Sequence, residues 1–364
     1  MDAGSLSSRL TKHTVRKICV IKPSALGDVV QSLPILPVLR QRFPDSQISW
    51  VINRELSELL TGNSCIDELI PFDRRGGAGA WWKLLKRLRR SRFDLVFDLQ
   101  GLFRTGVMTL ATGAPIRIGL QTAREGSHLA CHQLLPDSGI QVPAYRRAWR
   151  IADELGLGEL RAHTEIVIPD YDRNWAEQLR ASLSGPLLVI QPGTRWQTKQ
   201  WPIRQYAEVT RRAVKELGLS VIVVGSRGES AAAQELVELV KHVAPRGEIH
   251  SLAGKTSIKQ LAAVLQQADL VLSNDSGPLH LAAGLGTPVV GVFTCTSPVR
   301  SGPPPAPLRR MVATQVPCAA SYCKQCPQSG LANLACFKEL TPERVWQGVL
   351  QTWSEIQHRR SRAA

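Results

Sequence analysis

Short apolar runs alternate with longer amphipathic stretches along most of this chain. Lys17–Ile21 (KICVI), Gln47–Ile52, Leu69–Phe72 and Leu95–Asp98 read as buried strands. Between them, residues 29–42, 55–60 and 83–92 space their apolar side chains as helices do. The pattern then restarts. Pro186–Gln191 (PLLVIQ) predicts a strand, followed by a helix over Ile203–Leu217, a strand at Val221–Gly225 and a helix over Ala231–Val243. After the short stretch Leu252–Ala253 come a helix at Ile258–Gln267, the strand Leu270–Ser273, a helix at His280–Leu285 and the strand Val289–Phe293. Pro342–His358 closes the series as an amphipathic helix with Val345, Val349, Trp353 and Ile356 on one face.

Strands that alternate with helices through short Gly/Pro/Asp/Ser loops predict a parallel, doubly wound sheet in each half. The expected fold class is therefore α/β, with two Rossmann-like doubly wound domains facing across a cleft. Residues 1–160 form the expected N-terminal domain, and 161–184 form the interdomain connection, with one helix at Trp175–Ser182. Residues 185–340 form the second domain, and 341–364 the closing helix, expected to pack back on the first domain. In such sheets ligands bind at the carboxyl ends of the strands, which puts the chemistry in the loops that follow them.

Composition narrows the class. The chain has 364 residues, 43 % hydrophobic and 21 % charged, which suits two domains with real cores. It has no apolar run of about 18 residues that would span a membrane. The polar N-terminal segment, with Arg9, Lys12 and His13, lacks the apolar run of a signal peptide, so a cytoplasmic location is expected. A net charge of +15 points to acidic partners: a phosphorylated substrate, an anionic membrane surface or nucleic acid. Nucleic acid is disfavoured, because aromatic residues make up only 5 % of the chain and do not interleave with the basic ones as a stacking motif would require. Lys83–Arg92 (KLLKRLRRSR) reads as a basic helical face with Trp81, Trp82, Leu84, Leu85 and Leu88 on the other side, a pattern compatible with contact to a membrane surface.

Four of the eight cysteines, Cys19, Cys65, Cys131 and Cys295, are scattered as packing residues. The others, Cys318, Cys323, Cys326 and Cys336, follow the spacing C-x4-C-x2-C-x9-C. That spacing suits a structural zinc or iron in a tetrahedral thiolate site; reduced loop thiols are the alternative.

Three loops carry candidate chemistry. Lys22–Asp28 follows the first strand and brings a carboxylate, Asp28, to a helix start, where it suits a general base toward an acceptor hydroxyl. Gln191–Pro202 follows a strand after a Pro-Gly turn and carries Thr194, Arg195, Thr198 and Lys199, a set fitted to a diphosphate. It is not a Walker A loop, since G-x4-G-K-[ST] is absent. Asn274–His280 joins a strand to a helix through Asp275, Ser276 and Gly277, with His280 in the first turn. Free backbone N–H groups and the positive helix end make that loop an anion site. Glu229, after the Val221–Gly225 strand, is placed to accept hydrogen bonds from ribose hydroxyls. Together these loops describe group transfer from a nucleotide donor.

The segments KPSALGDVVQSLPILPVLRQRFP, DLVFDLQGLFRTG, QPGTRWQTKQWP, LAGKTSIKQLAAVL and NDSGPLHLAAGLGTPVV occur in this order, and over roughly residues 17–350 the chain resembles the heptosyltransferases of the GT-B glycosyltransferases. The resemblance implies an inverting transfer of a heptose or related sugar from an ADP-sugar to an acidic, lipid-linked saccharide of the lipopolysaccharide inner core. It implies no cofactor for catalysis and peripheral contact with the cytoplasmic face of the inner membrane. It makes Asp28 the catalytic base and places Thr194, Lys199, Glu229, Thr256, Asp275, Ser276, Gly277 and His280 around the donor, with Thr256 against the adenine. Lys22, Ser24 and Arg104 fall on the acceptor side. Two departures stand out: Ala25 replaces a serine common in the first loop, and Phe293–Pro298 reads FTCTSP where the family has Phe-Gly-x-Thr-x-Pro. Other sugar-nucleotide chemistry on the same fold, such as epimerisation, is the competing expectation, followed by a basic nucleic-acid-binding protein.

Overall fold

In a computed structural model, which describes residues 10, 14–136, 142–157, 164–242 and 249–363, the chain forms two units. They divide between Val167 and Ile168. Arg9, Lys12, His13 and Val243 lie outside the described residues.

The first unit holds β1 (Lys17–Ile21), β2 (Gln47–Asn53), β3 (Glu68–Phe72), β4 (Leu95–Asp98), β5 (Ile116–Leu120) and β6 (Gln133–Leu135) in one sheet of order β3-β2-β1-β4-β5-β6. The second holds β7 (Leu187–Gln191), β8 (Ser220–Val223), β9 (Ile249–Ser251), β10 (Leu270–Asn274), β11 (Val289–Phe293) and β12 (Arg309–Ala313), in the order β12-β11-β10-β7-β8-β9. Every pairing is parallel, with registers such as Ile18↔Leu95 and Leu272↔Ile190. Counted from its own first strand, the second sheet repeats the order of the first. The α/β doubly wound expectation is met in both units.

The apolar runs explain the central strands. Ile18, Cys19, Val20 and Ile21 in β1 and Leu188, Val189 and Ile190 in β7 are fully buried, because helices cover both faces of a parallel sheet. The sequence reading includes the edge strand β3 but neither β5 nor the edge strands β6, β9 and β12. β12 (RRMVA) is half-exposed throughout and opens with two arginines, and β6 and β9 have three residues each. The expected helix over 29–42 is broken at Pro34 into Leu26–Ser32 and Ile35–Arg42, since a proline inside a helix lacks the N–H donor that the ladder needs.

The helix Asp170–Ala181, assigned from sequence to the connection, packs on the Ile258–Gln267 helix of the second unit. The closing helix, Pro342–Ala363, packs on β11, β12 and the Ile203–Leu217 helix. Its apolar face, including Val345, Trp346, Val349, Trp353 and Ile356, belongs to the second unit's core alongside Trp201 and Tyr206. That face is therefore buried in the second unit, where the sequence suggested packing on the first domain. Among the described residues no helix is long and apolar enough to cross a membrane.

Trp346 is completely buried, with the Arg212 guanidinium 4.7 Å from its ring centre. Trp346→Ala should destabilise the second unit by about 3–5 kcal/mol, the usual cost of emptying a core tryptophan site. Urea denaturation of the full chain checks this. A loss below about 1 kcal/mol would mean that the closing helix does not depend on this contact.

Candidate functional site

In the second sheet β7 and β10 are neighbours at the point where the strand order reverses, so the loops leaving their carboxyl ends must meet. The loop after β7 turns through Gln197–Lys199 before the Ile203–Leu217 helix. The loop after β10 enters the Gly277–Gly284 helix, with Ser276 as its N-cap and Pro278 in its first turn. Lys199 and Asp275 join across this point: Lys199 Nζ donates to Asp275 Oδ2 at 2.7 Å.

Asp275 is 5 % exposed and accepts a second hydrogen bond on Oδ2, from Thr296 Oγ1 at 2.7 Å. His280 Nε2 stands 3.6 Å from Oδ1. Burial alone would raise this carboxyl, but the His280 ring and the Lys199 ammonium beside it prevail and hold it down at about 2. Lys199 Nζ also lies 4.8 Å from the centre of the Trp196 ring. Thr198 and Thr294 bind the loops together: Thr294 Oγ1 donates to Thr198 O, and Thr198 Oγ1 to Cys323 O, each at 2.6 Å.

The Pro192–Gly193 turn is clamped from below by two buried amides. Asn274 Nδ2 donates to Pro192 O at 2.6 Å and Gln191 Nε2 to Gly193 O at 3.1 Å. Their oxygens, Asn274 Oδ1 and Gln191 Oε1, have no hydrogen-bond partner among the described residues. Glu229 reaches the same turn. One of its oxygens takes the Ser226 N–H at 2.7 Å, and a β-carbon at position 193 would overlap its carboxyl group. Only glycine leaves room for that approach. Thr194 is half-buried and accepts from Gln200 Nε2 through its backbone carbonyl at 2.5 Å. Ser276 Oγ pairs with Ser273 Oγ at 3.0 Å. Thr256 is half-buried and immediately precedes Ser257, which caps the Ile258–Gln267 helix.

The structure thus brings Thr194, Lys199, Asp275, Ser276, Gly277 and His280 to one loop cluster and Glu229 to its Gly193 edge. It adds Gln191, Asn274 and Thr296, which the sequence reading had passed over. Thr296 lies in the FTCTSP segment, so its position was marked but its partner was not.

The first unit repeats the arrangement at its own reversal point, between β1 and β4. Lys22, only 9 % exposed, donates from Nζ to Leu99 O at 3.0 Å, and the Ser24 N–H points at Gln100 Oε1 at 3.4 Å. Asp28 is the third residue of the Leu26–Ser32 helix. It is exposed, and its carboxylate takes the Ala25 N–H at 3.1 Å. Asp98, the last residue of β4, is buried and receives the Gln100 and Gly101 N–H groups on Oδ1, each at 3.0 Å. Burial raises its carboxyl against those bonds, against Thr105 and against the charge of Lys22. Arg104 is half-buried in the first turn of the Phe103–Thr112 helix and makes no hydrogen bond or ion pair with the described residues.

All eight cysteines are free thiols. Burial pushes Cys336 up to about 11, and Cys318, Cys295 and Cys326 nearby add to the effect. Cys326 Sγ accepts the Leu334 N–H at 3.3 Å, while Cys323 Sγ points to Ser321 O at 3.6 Å. Among the described residues no three His, Cys, Asp or Glu side chains are disposed to hold a metal ion. Cys318 and Cys326 thus lie close enough to Cys336 to act on its thiol, while the Cys323 and Cys326 sulfurs are engaged with different backbone groups.

The geometry can be set beside known proteins. Residues 81–332 match the model of glycosyltransferase family 9 (heptosyltransferase). The lipopolysaccharide core heptosyltransferase OpsX of Haemophilus influenzae is 30 % identical over 293 residues, covering 79 % of this chain and 82 % of that protein. A glycosyl transferase family 9 structure from Veillonella parvula superposes with a TM-score of 0.77 at 24 % identity, over 93 % of this chain and 97 % of that one. The structure of the Escherichia coli ADP-heptose lps heptosyltransferase II does so with a TM-score of 0.74 at 23 % identity, over 94 % and 99 %. Sugar-nucleotide epimerisation therefore gives way to glycosyl transfer as the reaction. With its two doubly wound sheets and a family match over most of its length, the chain belongs to glycosyltransferase family 9 and is a glycosyltransferase.

Proposed function

We propose that this glycosyltransferase moves a heptose, or a closely related sugar, from an ADP-sugar to an acidic, lipid-linked saccharide of the lipopolysaccharide inner core, with inversion at the anomeric carbon. The observation that carries this reading is the Lys199–Asp275 pair, set beside the Ser276–Gly277 N–H groups that open a helix. Asp275 fixes the lysine; an ammonium has three donors, so it keeps capacity for a phosphate oxygen. The helix N-terminus adds oriented N–H groups, and together they suit a diphosphate. Glu229 at the Gly193 edge serves the ribose hydroxyls, and Thr194 and Thr256 complete the nucleotide's surroundings.

In the reaction, Asp28 takes the proton from an acceptor hydroxyl as that oxygen attacks the anomeric carbon from the side opposite the nucleotide. The bond from carbon to the diphosphate oxygen breaks, and its electron pair goes to ADP. Negative charge grows on the diphosphate, so Lys199 and the helix end stabilise the transition state more than the bound donor. Lys22, Ser24 and Arg104 serve the acceptor. The names of the relatives support heptose and lipopolysaccharide, and ADP-heptose is the donor named for the E. coli enzyme whose fold this chain shares. Contact with the cytoplasmic face of the inner membrane belongs to the same proposal, since a lipid-linked acceptor lies there.

A thermal-shift panel of ADP-, GDP- and UDP-sugars tests the donor. The correct sugar nucleotide at about 100 times its dissociation constant should stabilise the protein by about 2.7 kcal/mol. Stabilisation by UDP- or GDP-sugars alone would overturn the ADP assignment.

Asp28→Asn should keep donor binding and lower turnover by roughly 10²–10⁴-fold; turnover within a few-fold of wild type would remove Asp28 as the base. Asp275 generates a pH prediction. Its carboxyl is depressed from 3.8 to about 2 in the folded protein, so its contribution is fully present above the unfolded value and is lost as pH falls through about 2. Acid titration of stability should show about 2 kcal/mol disappearing across that window. Asp275→Asn should abolish this component and weaken ADP binding together, and calorimetry with ADP provides the second readout.

A further inference from the structure

Among the described residues eight large apolar side chains are exposed, and four of them fall on three successive helical elements of the first unit. Trp82 (67 % exposed) is on the Gly77–Ser91 helix, Phe103 (64 %) and Leu110 (52 %) are on the Phe103–Thr112 helix, and Leu129 (78 %) is on the turn Ser127–Ala130. These elements are packed side by side. The first helix lies on the second and the second on the turn. The Arg89 guanidinium rests against Gly113, which caps the Phe103–Thr112 helix in a left-handed conformation and has no room for a β-carbon. At the other end of that helix the Phe103 N–H donates to Glu125 Oε2 at 3.0 Å.

The two helices have already used their inner faces. Leu84, Leu88 and Met108 are buried in the unit's core with Phe72, and Trp81 packs edge-on to Phe72 at 5.5 Å. Trp82, which the sequence pattern grouped with that apolar face, points outward instead. It shares a stripe at i, i+4 and i+7 with Lys86 and Arg89, and Lys83 and Arg90 flank that stripe. Phe103, half-buried Val107 and Leu110 form the same spacing on the second helix. Lys83, Lys86 and Arg90 make no hydrogen bond or ion pair with the described residues, whereas Arg87 is paired with Glu68 at 2.7 Å. Neither helix contains a single Asp or Glu.

From this juxtaposition we infer that the outer surface of the Gly77–Ser91 and Phe103–Thr112 helices, with Leu129, seats on an anionic lipid bilayer. Apolar tips enter the headgroup boundary, the tryptophan sits at its preferred depth, and the free cations meet lipid phosphates. The absence of carboxylates on both helices fits a surface that repeats one sign of charge better than a protein partner, which would offer both. The inference rests on the lipid-linked acceptor proposed above for its purpose; its evidence is this surface alone.

The test is flotation of the full-length protein with phosphatidylglycerol–phosphatidylethanolamine vesicles against phosphatidylcholine vesicles. Wild type should partition to the anionic vesicles, and added salt should weaken that binding. Combining Lys83→Gln, Lys86→Gln and Arg90→Gln should weaken it roughly 100-fold, at about fivefold per cation. Trp82→Ser with Leu110→Ser should weaken it by roughly tenfold without altering the salt dependence. All five side chains point away from the core, and unchanged circular dichroism and unchanged transfer to a detergent-solubilised acceptor separate docking from folding and catalysis. Wild type that ignores anionic vesicles, or prefers duplex DNA or a soluble protein to them, overturns the inference, as does cation-free protein that binds as tightly as wild type. Normal vesicle binding with no sugar transfer would instead overturn the proposed reaction and leave the membrane face standing.

Discussion

The second unit's site depends on one buried carboxylate. Asp275 ends up almost without solvent because β10 delivers it to the centre of the sheet, and a charge in that position persists only if its surroundings supply compensating donors. Those donors come from the segments that follow three neighbouring strands: Lys199 after β7, His280 in the helix after β10 itself and Thr296 after β11. Satisfying the carboxylate therefore sets the mutual position of all three segments. The Thr294–Thr198–Cys323 chain and the Asn274 and Gln191 amides then fix the backbone around it. A lysine held at the meeting point of these segments is the by-product of solving a burial problem.

The strands at the centre of each sheet, β1 and β4 in the first and β7 and β10 in the second, and the candidate loops were legible because their signals are local. A run such as KICVI buried on both faces, or a strand that breaks into small polar residues before a helix, can be read within ten residues or so. Lys199 and Asp275 each carried such a signal. Their pairing did not, because it follows from which strands become neighbours, and helical crossovers decide that over long stretches of chain. Glu229 was placed from its distance to a strand end; what the sequence did not reveal is that Gly193 makes room for it. Edge strands such as β12 were missed for the opposite reason: solvent on one side removes the apolar run.

The first unit shows the same division. Lys22, Ser24 and Asp28 lie in a loop that the sequence marked, but Asp98 looked like one more residue of an apolar strand. Only the structure shows that the Asp98 carboxyl fixes the Gln100–Gly101 backbone, and that Gln100 and Leu99 in turn meet Ser24 and Lys22. The outward turn of Trp82 was hidden because two adjacent tryptophans cannot both face a core from one helix, and the sequence does not say which one does. The cysteine spacing fixes reach and leaves open where each sulfur points, as the separate backbone partners of Cys323 and Cys326 illustrate.

The duplicated strand order has a consequence for assembly. In the first unit, Lys22 meets Leu99 across 77 positions and Ser24 meets Gln100 across 76; in the second, Lys199 meets Asp275 across 76. Each site closes only when a strand laid down much later in the chain inserts beside the first, after the whole intervening βαβ segment has been placed. Such long closures are entropically costly and slow, so they come late in folding. A partly folded unit would own its helices and several strands yet have no lysine beside its carboxylate. The Lys199–Asp275 pair would then mark the completion of the second unit, and a nascent chain would acquire its two loop clusters in sequence, one return strand at a time.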